Sequence, residues 1–222
     1  MVNTLNQRFG IHPERDNLVT DVLASGRYAI VADENIQARL RDVYVMHFSN
    51  AFGAMPLSTG NKTESACGYY THFDMNFSFA PIKDIYKHEV VAIARAASAI
   101  PANIWQKAPS AELAHGQVDE DSLLSYGILD PIVRAYVEEY ISTFERFARW
   151  VAKCDIAGVV ISGDGDKLKA WLGQDDAPVD FQRIISLMGR MEYKRRQTCP
   201  GTKVSKVAFG IGRRIPIVEK WS

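Results

Sequence analysis

The sequence predicts an α/β layered fold. Three observations carry that reading. Two short apolar runs, at 54–58 and 156–161, are strand candidates; four longer segments place apolar residues at helical spacing; and the two kinds of segment alternate along the chain.

Taken in order, the first 30 residues pattern weakly, with a short helix expected near Leu18 to Leu23. Asp33 then stands as an N-cap for a helix whose stripe is Ile36, Leu40, Val43 and Met46, with Gly53 as its stop. A strand is expected over Ala54 to Ser58, at an edge because Pro56 has no N–H for a ladder. Pro81 suits the first turn of the next helix, which would bury Ile82, Ile85, Val90, Ile93 and Ala97 and end at Pro101. The clearest helical pattern runs from Pro131 to Lys153, with Val133, Val137, Tyr140, Ile141, Phe144, Ala148 and Val151 on one side. The run Ile156 to Ile161 is a buried-strand candidate that period alone does not separate from a helix turn. Phe181 to Arg195 is again helical, and the tail after Cys199 is basic and punctuated by Pro and Gly.

Composition narrows the function classes. The 222 residues, 47% of them hydrophobic, suffice for one domain with a real core. Twenty-six basic side chains balance 26 acidic ones, which gives no electrostatic argument for a nucleic-acid or membrane partner. No apolar run approaches the roughly 18 residues of a membrane span, and Met1 to Arg15 lacks a signal-peptide core. The odd, scattered cysteines (Cys67, Cys154, Cys199) read as reduced thiols of a cytoplasmic protein.

Chemistry concentrates at "TGNKTE", residues 59–64, on a strand-to-helix junction. Free backbone N–H groups at a helix start favour an anion. Thr59 offers a hydroxyl, Lys62 a charge, and Glu64 a hard oxygen for Mg²⁺ held against phosphates. The bland alternative is a polar turn capped by Thr63. Asp74 and Lys87, by type alone, are surface groups. "KAPSAEL", with Ser110 and Glu112, and the acidic "DEDS" (119–122) read by composition as solvated loop. The cations of "EYKRRQ" (192–197) either compensate a helix dipole or grip a phosphate. None of the five histidines pairs at metal spacing; His72 and His88 read as surface or packing residues.

Together, "ENIQARLR", "TGNKTE", "GYYTHFD", "PIKDIYK", "KAPSAEL" with "QVDEDSL", "YGILD", and "EYKRRQ" with "AFGIGRRIPI" occur in an order that closely resembles NAD synthetase, in particular the synthetase part of its glutamine-dependent form. The resemblance covers Asp33 to Ile217 and is weak over 142–180. It assigns residues 33–222 to a synthetase-like domain and leaves 1–32 as a poorly matched segment. It implies a doubly wound parallel sheet of the N-type ATP-pyrophosphatase kind, usually as a homodimer. The implied reaction uses ATP and Mg²⁺ to adenylate deamido-NAD; ammonia then displaces AMP to give NAD.

Residue by residue, the resemblance makes Thr59 an ATP contact and Glu64 the Mg²⁺ ligand. It places Arg39 on the deamido-NAD side and Asp74 and Lys87 at the adenylation centre, Lys87 against the negative charge. Ser110 becomes a hydroxyl at the same centre, and Lys194 a substrate-side lysine.

Two departures stand out. The family's Ser-Gly-Gly-x-Asp-Ser loop, which cradles the ATP pyrophosphate, has no counterpart upstream of Thr59, so an N-terminally truncated and catalytically silent chain is the alternative expectation. The glutaminase that would supply ammonia is also not in this chain. "SGDGD" (162–166) mimics the loop only superficially and reads as a surface turn. The family's aromatic-Gly-Asp run is here His72-Phe73-Asp74, without the glycine.

Overall fold

A computed structural model describes residues 31–74, 77–111, 113, 116, 118–119, 123–154 and 164–217. The helix expected near Leu18 to Leu23, the strand candidate at 156–161 and the first two residues of the "SGDGD" turn lie outside the described residues, while Asp164 caps and Gly165 opens a helix. Contacts divide the chain into two units, 1–37 and 38–222. Of the first, the described part is the opening of helix α1, Val31–Phe52.

Helix α1 stops where expected, with Gly53 in the left-handed region at φ 60°. Asp33 lies in its first turn rather than capping it. Its apolar stripe is not buried: Ile36, Val43 and Met46 are 54%, 61% and 37% exposed, and Ala38 is the buried position. Helical spacing was therefore a sound guide to the helix but not to burial.

The strand expected at 54–58 is reduced to one parallel bridge, Leu57 to Phe79, with Ser58 N–H donating to Phe79 O at 2.8 Å. A second parallel bridge joins Ala80 to Gly201, with Ala80 N–H on Pro200 O at 2.9 Å. These bridges set segments 57, 79–80 and 201 side by side in one sense. Helix α2, Lys62–Cys67, follows the first segment directly.

Pro81 does not open a helix. Residues 81–85 form a turn, and helix α3 begins at Lys87 and ends at Ala96 with Tyr86 as its N-cap. The reason is Asp84, whose carboxylate accepts from Val204 N and Ser205 N at 2.9 and 2.8 Å and is held out of a helical register. Ile93, expected in the core, is 55% exposed, while His88 is buried. Pro101 serves as N-cap of the short helix α4, Ala102–Gln106.

Helix α5, Tyr126–Glu138, is the centre of the core, apolar nearly all round and buried as such a helix must be. It packs against α2 and α3 and against three later helices: α6 (Phe144–Val151), α7 (Gly165–Leu172) and α8 (Ala177–Arg190). Leu129, Ile132, Val133 and Val137 are fully buried, each stabilising by about 1.5–3 kcal/mol. Gly127 lets α7 approach, since a Cβ there would lie 2.5 Å from the Asp164 Cβ.

The single helix expected from Pro131 to Lys153 is two helices. α5 starts five residues before Pro131, and the chain breaks at Tyr140, which takes φ 55° and is 52% exposed. Downstream, α8 buries Phe181, Ile184, Ile185 and Met188 as expected, and a separate turn of helix, α9, covers Glu192–Arg195. Two two-residue strands, β1 (Ala208–Phe209) and β2 (Gly212–Arg213), pair in parallel register at the tail. Arg213 locks them to the core, its guanidinium 4.6 Å from the Tyr136 ring and 4.7 Å from that of Tyr140.

Candidate active site

The 59–64 turn is built differently from the anion cradle its sequence suggests. Asn61, not Thr63, caps α2: its Oδ1 accepts Glu64 N–H at 2.9 Å, and Glu64 Oε2 returns by accepting Asn61 N–H at 3.1 Å. Lys62 N–H donates to Ile85 O at 2.9 Å. The backbone donors of Asn61, Lys62 and Glu64 are therefore spent on the protein itself. Lys62 also leaves the site, because its side chain is fully buried. Its ammonium contacts Glu138 Oε1 at 3.0 Å, Asp84 Oδ1 at 3.1 Å, and Ser205 Oγ and Val207 O at 2.8 Å each. It is a core strut and not a phosphate contact.

What remains at this corner is Glu64 facing Lys87. Lys87 Nζ lies 3.5 Å from Glu64 Oε1 and 5.3 Å from the centre of the Tyr126 ring. Both side chains keep 21% of their surface exposed, and Thr59 is exposed on the loop before them. Burial pushes the Glu64 carboxyl above its usual range, an effect only partly offset by Lys87 and by the Asn61 N–H. Asp130 fixes the pair from below. Fully buried on α5, it accepts the Thr63 hydroxyl on one oxygen and, on the other, His88 N–H and His88 Nδ1, each at 2.8 Å. Lys87 N–H in turn reaches Thr63 Oγ1 at 3.3 Å. His88 is thus the packing residue its sequence suggested, with a carboxylate as its anchor.

Ser110 lies on the loop beside this corner. Its neighbour Pro109 accepts Asp119 N–H at 3.0 Å, and Asp119 Oδ2 accepts the Tyr126 hydroxyl at 2.8 Å. Asp119 contradicts the solvated reading of its acidic run, being only 5% exposed.

A second group gathers on the loop that leaves α2. Arg39 Nε donates to His72 O at 3.1 Å, and Asp74 N–H closes the turn on Thr71 O at 3.2 Å. Lys194 Nζ donates to Gly68 O and Tyr70 O at 2.8 and 2.7 Å. Burial lowers the affinity of Lys194 for its proton. Phe73, standing where a glycine was missed, takes a left-handed backbone at φ 62°. The structure thus brings Arg39, Asp74 and Lys194 to one loop, and Glu64, Lys87 and the Ser110 loop to one corner. Helix α2 joins the two groups.

The other cations of 192–197 serve the fold. Buried Arg195 bonds Glu192, Met188 O and the Ser65 and Ala66 carbonyls at the end of α2, so it compensates a helix other than its own. Arg196 bonds Glu192 and Ile215 O. A basic cavity of about 390 Å³, lined by Lys83, Arg195, Arg196, Lys203 and Arg214 among others, contains none of the seven candidate residues.

The NAD synthase family model matches residues 6–152. The chain belongs to the NAD synthase family. It is 37% identical over 204 residues to the glutamine-dependent NAD(+) synthetase of Thermotoga maritima, covering 89% of this chain and 31% of that protein. Against the enzyme of the same name from Acinetobacter baylyi it is 39% identical over 200 residues, covering 87% and 32%. The chain therefore spans about a third of the length of the curated relatives it matches. Among solved structures, the glutamine-dependent NAD(+) synthetase of Cytophaga hutchinsonii superposes with a TM-score of 0.61 at 17% identity, covering 98% of this chain and 31% of that one. The NMN synthetase of Francisella tularensis gives 0.51 at 24% identity, covering 79% and 59%. These likenesses establish the NAD synthase α/β fold.

Asp130, Asp119 and His88 carry much of the site's internal bonding, although the sequence marks Asp130 only as the end of "YGILD", Asp119 as solvated loop and His88 as surface or packing. The signal available was the spacing of Asp130 within an apolar helix, where an unpaired acid would be costly.

Proposed function

We propose that the chain serves NAD biosynthesis as part of an NAD synthase, taking part in ATP-dependent amidation of deamido-NAD through an adenylated intermediate. The observation that supports this best is the Glu64–Lys87 pair at 3.5 Å, partly exposed beside Thr59 and the Ser110 loop. A lysine there would stabilise charge on ATP or on the acyl-adenylate, with Thr59 and Ser110 as hydroxyl contacts. On the other loop, Arg39, Asp74 and Lys194 would hold deamido-NAD. Ammonia would come from a glutaminase outside these residues, and a homodimer in the cytoplasm is the expected state. A doubly wound parallel sheet is the architecture that the two parallel bridges support.

Mg²⁺ fits the donors present. Glu64 supplies hard carboxylate oxygen, and burial makes its charge costly unless a cation answers it. Among the described residues no three His, Cys, Asp or Glu converge. That suits an ion which takes one or two carboxylates and completes its shell with water and phosphate. When bound, it would neutralise phosphate charge; Lys87 and the hydroxyls would orient the nucleotide around it.

The test is binding. Mg·ATP and deamido-NAD should each raise the melting temperature of the purified chain. Lys87→Ala should erase the first shift and Lys194→Ala the second. No shift with either ligand at millimolar concentration sinks the reading. A second reading, binding without turnover, is favoured by the absence of a Ser-Gly-Gly-x-Asp-Ser loop from the 222 residues. It expects no NAD from deamido-NAD, ATP, Mg²⁺ and ammonium, and steady NAD formation abolished by Glu64→Ala would overturn it.

A further inference from the structure

Among the described residues, Asp119 is an acid near Glu64 whose environment asks for a ligand. It is 5% exposed; Oδ2 accepts from Tyr126 and its N–H is spent on Pro109 O, but Oδ1 has no partner among the described residues. A buried carboxylate oxygen without a donor has lost its water and gained nothing in return, a larger cost than a hydrogen bond simply exchanged with solvent. Native proteins seldom retain such a group without a use for it.

Its position ties it to the corner described above. The Tyr126 ring carries Lys87 Nζ at 5.3 Å, and Lys87 carries Glu64 at 3.5 Å, so Asp119, Tyr126, Lys87 and Glu64 form one continuous cluster. Two carboxylates against one lysine leave the cluster one positive charge short. Asp119 Oδ1 and the partly exposed Glu64 carboxylate are hard oxygens, and a divalent cation is the ligand of matching charge and chemistry.

We propose that Asp119 is a second carboxylate of the divalent-cation site assigned above to Glu64, with Oδ1 as its ligand atom. The assignment rests on that reading of Glu64. It makes the 119 segment a sensor of the metal: the loop through Pro109 and Ser110 is tied to Asp119 by a backbone bond, so cation binding would set the position of Ser110 as well.

The experiment uses the full chain and Mn²⁺ as the probe, with free Mn²⁺ counted by electron paramagnetic resonance in the presence and absence of ATP. The wild type should bind one Mn²⁺. Glu64→Gln and Asp119→Asn should each weaken binding at least tenfold, and the exposed Glu145→Gln should leave it unchanged. Without metal, Asp119→Asn should melt no lower than the wild type, and the melting shift produced by Mn²⁺ should be lost. If Glu64→Gln weakens binding and a folded Asp119→Asn does not, Asp119 is no ligand while the reading of Glu64 stands. If the wild type binds no Mn²⁺ with or without ATP, both fall. Should Asp119→Asn fail to fold, Tb³⁺ decides. A lanthanide on Asp119 lies beside Tyr126, so at equal occupancy Tyr126→Phe should cut the sensitised emission by more than half; undiminished emission overturns the proposal.

Discussion

The Asp130 carboxylate holds His88 at two points, the backbone N–H and Nδ1, both at 2.8 Å and out of contact with water. Since a carboxylate only accepts, Nδ1 carries the proton. The same side chain takes the Thr63 hydroxyl. One acid on the central helix thereby places the starts of α2 and α3, and with them Glu64 and Lys87.

Asp130→Ala should therefore be costly out of proportion to its size. It strands three buried donors, and the loss expected is about 3–5 kcal/mol, or a melting temperature lower by roughly 10 °C. Thr63→Val removes a single hydroxyl and should cost about 1–2 kcal/mol. Urea unfolding measures both; a loss below 1 kcal/mol for Asp130→Ala would show that the network does not organise the corner.

Lys62→Met leaves Asp84 and Glu138 facing each other without their shared cation and should destabilise by about 3–5 kcal/mol. Asp84 also gives the pH dependence a sign. Burial acts to raise its pKa, but the Ser205 and Val204 donors and Lys62 outweigh burial and hold it below the usual range. A depressed carboxylate contributes stability above its unfolded pKa and loses it as pH falls through the folded one. Stability of the wild type should fall on acidification below the ordinary Asp range. Asp84→Asn should flatten that limb in a series of denaturation curves, and an unchanged slope would count against the assignment.

Glu64 has the opposite sign. Its folded pKa is raised, so its contribution is present below the unfolded value and is lost as pH rises through the folded one. In the absence of divalent cations Glu64→Gln should thus melt higher than the wild type at neutral pH and alike below pH ~4. Glutamine preserves the capping box. A lower melting temperature for the variant at neutral pH would show that the Lys87 pair, not burial, dominates.

Phe73 occupies a backbone region that suits glycine, and its side chain is 67% exposed with its ring stacked on His72 at 4.1 Å. Phe73→Val, branched at Cβ, should lose about 1–2 kcal/mol. Phe73→Gly should leave stability within about 1 kcal/mol, as relief of the turn offsets the added chain entropy. Thermal unfolding of the two variants separates them, and equal losses would place the effect in the ring stack instead.

The resemblance that names the family was legible in the sequence because ordered blocks such as "TGNKTE" and "EYKRRQ" survive as residue identities. Helices were legible too, at α1, α8 and the core run of α5, since period 3.6 is a local property. Burial was not: Ile36 and Val43 have the right spacing and face out, and the break at Tyr140 lies in a run with no local stop signal. The lysine of "TGNKTE" shows the limit best. By itself the sequence determined that a polar turn, a glutamate and a lysine stand at a helix start. Only the tertiary structure decided that Lys62 turns inward to Asp84 and Glu138, distant in sequence, while Lys87 comes to Glu64. Which cation meets which acid depends on packing between segments far apart in the chain, where desolvation rather than spacing selects the partner.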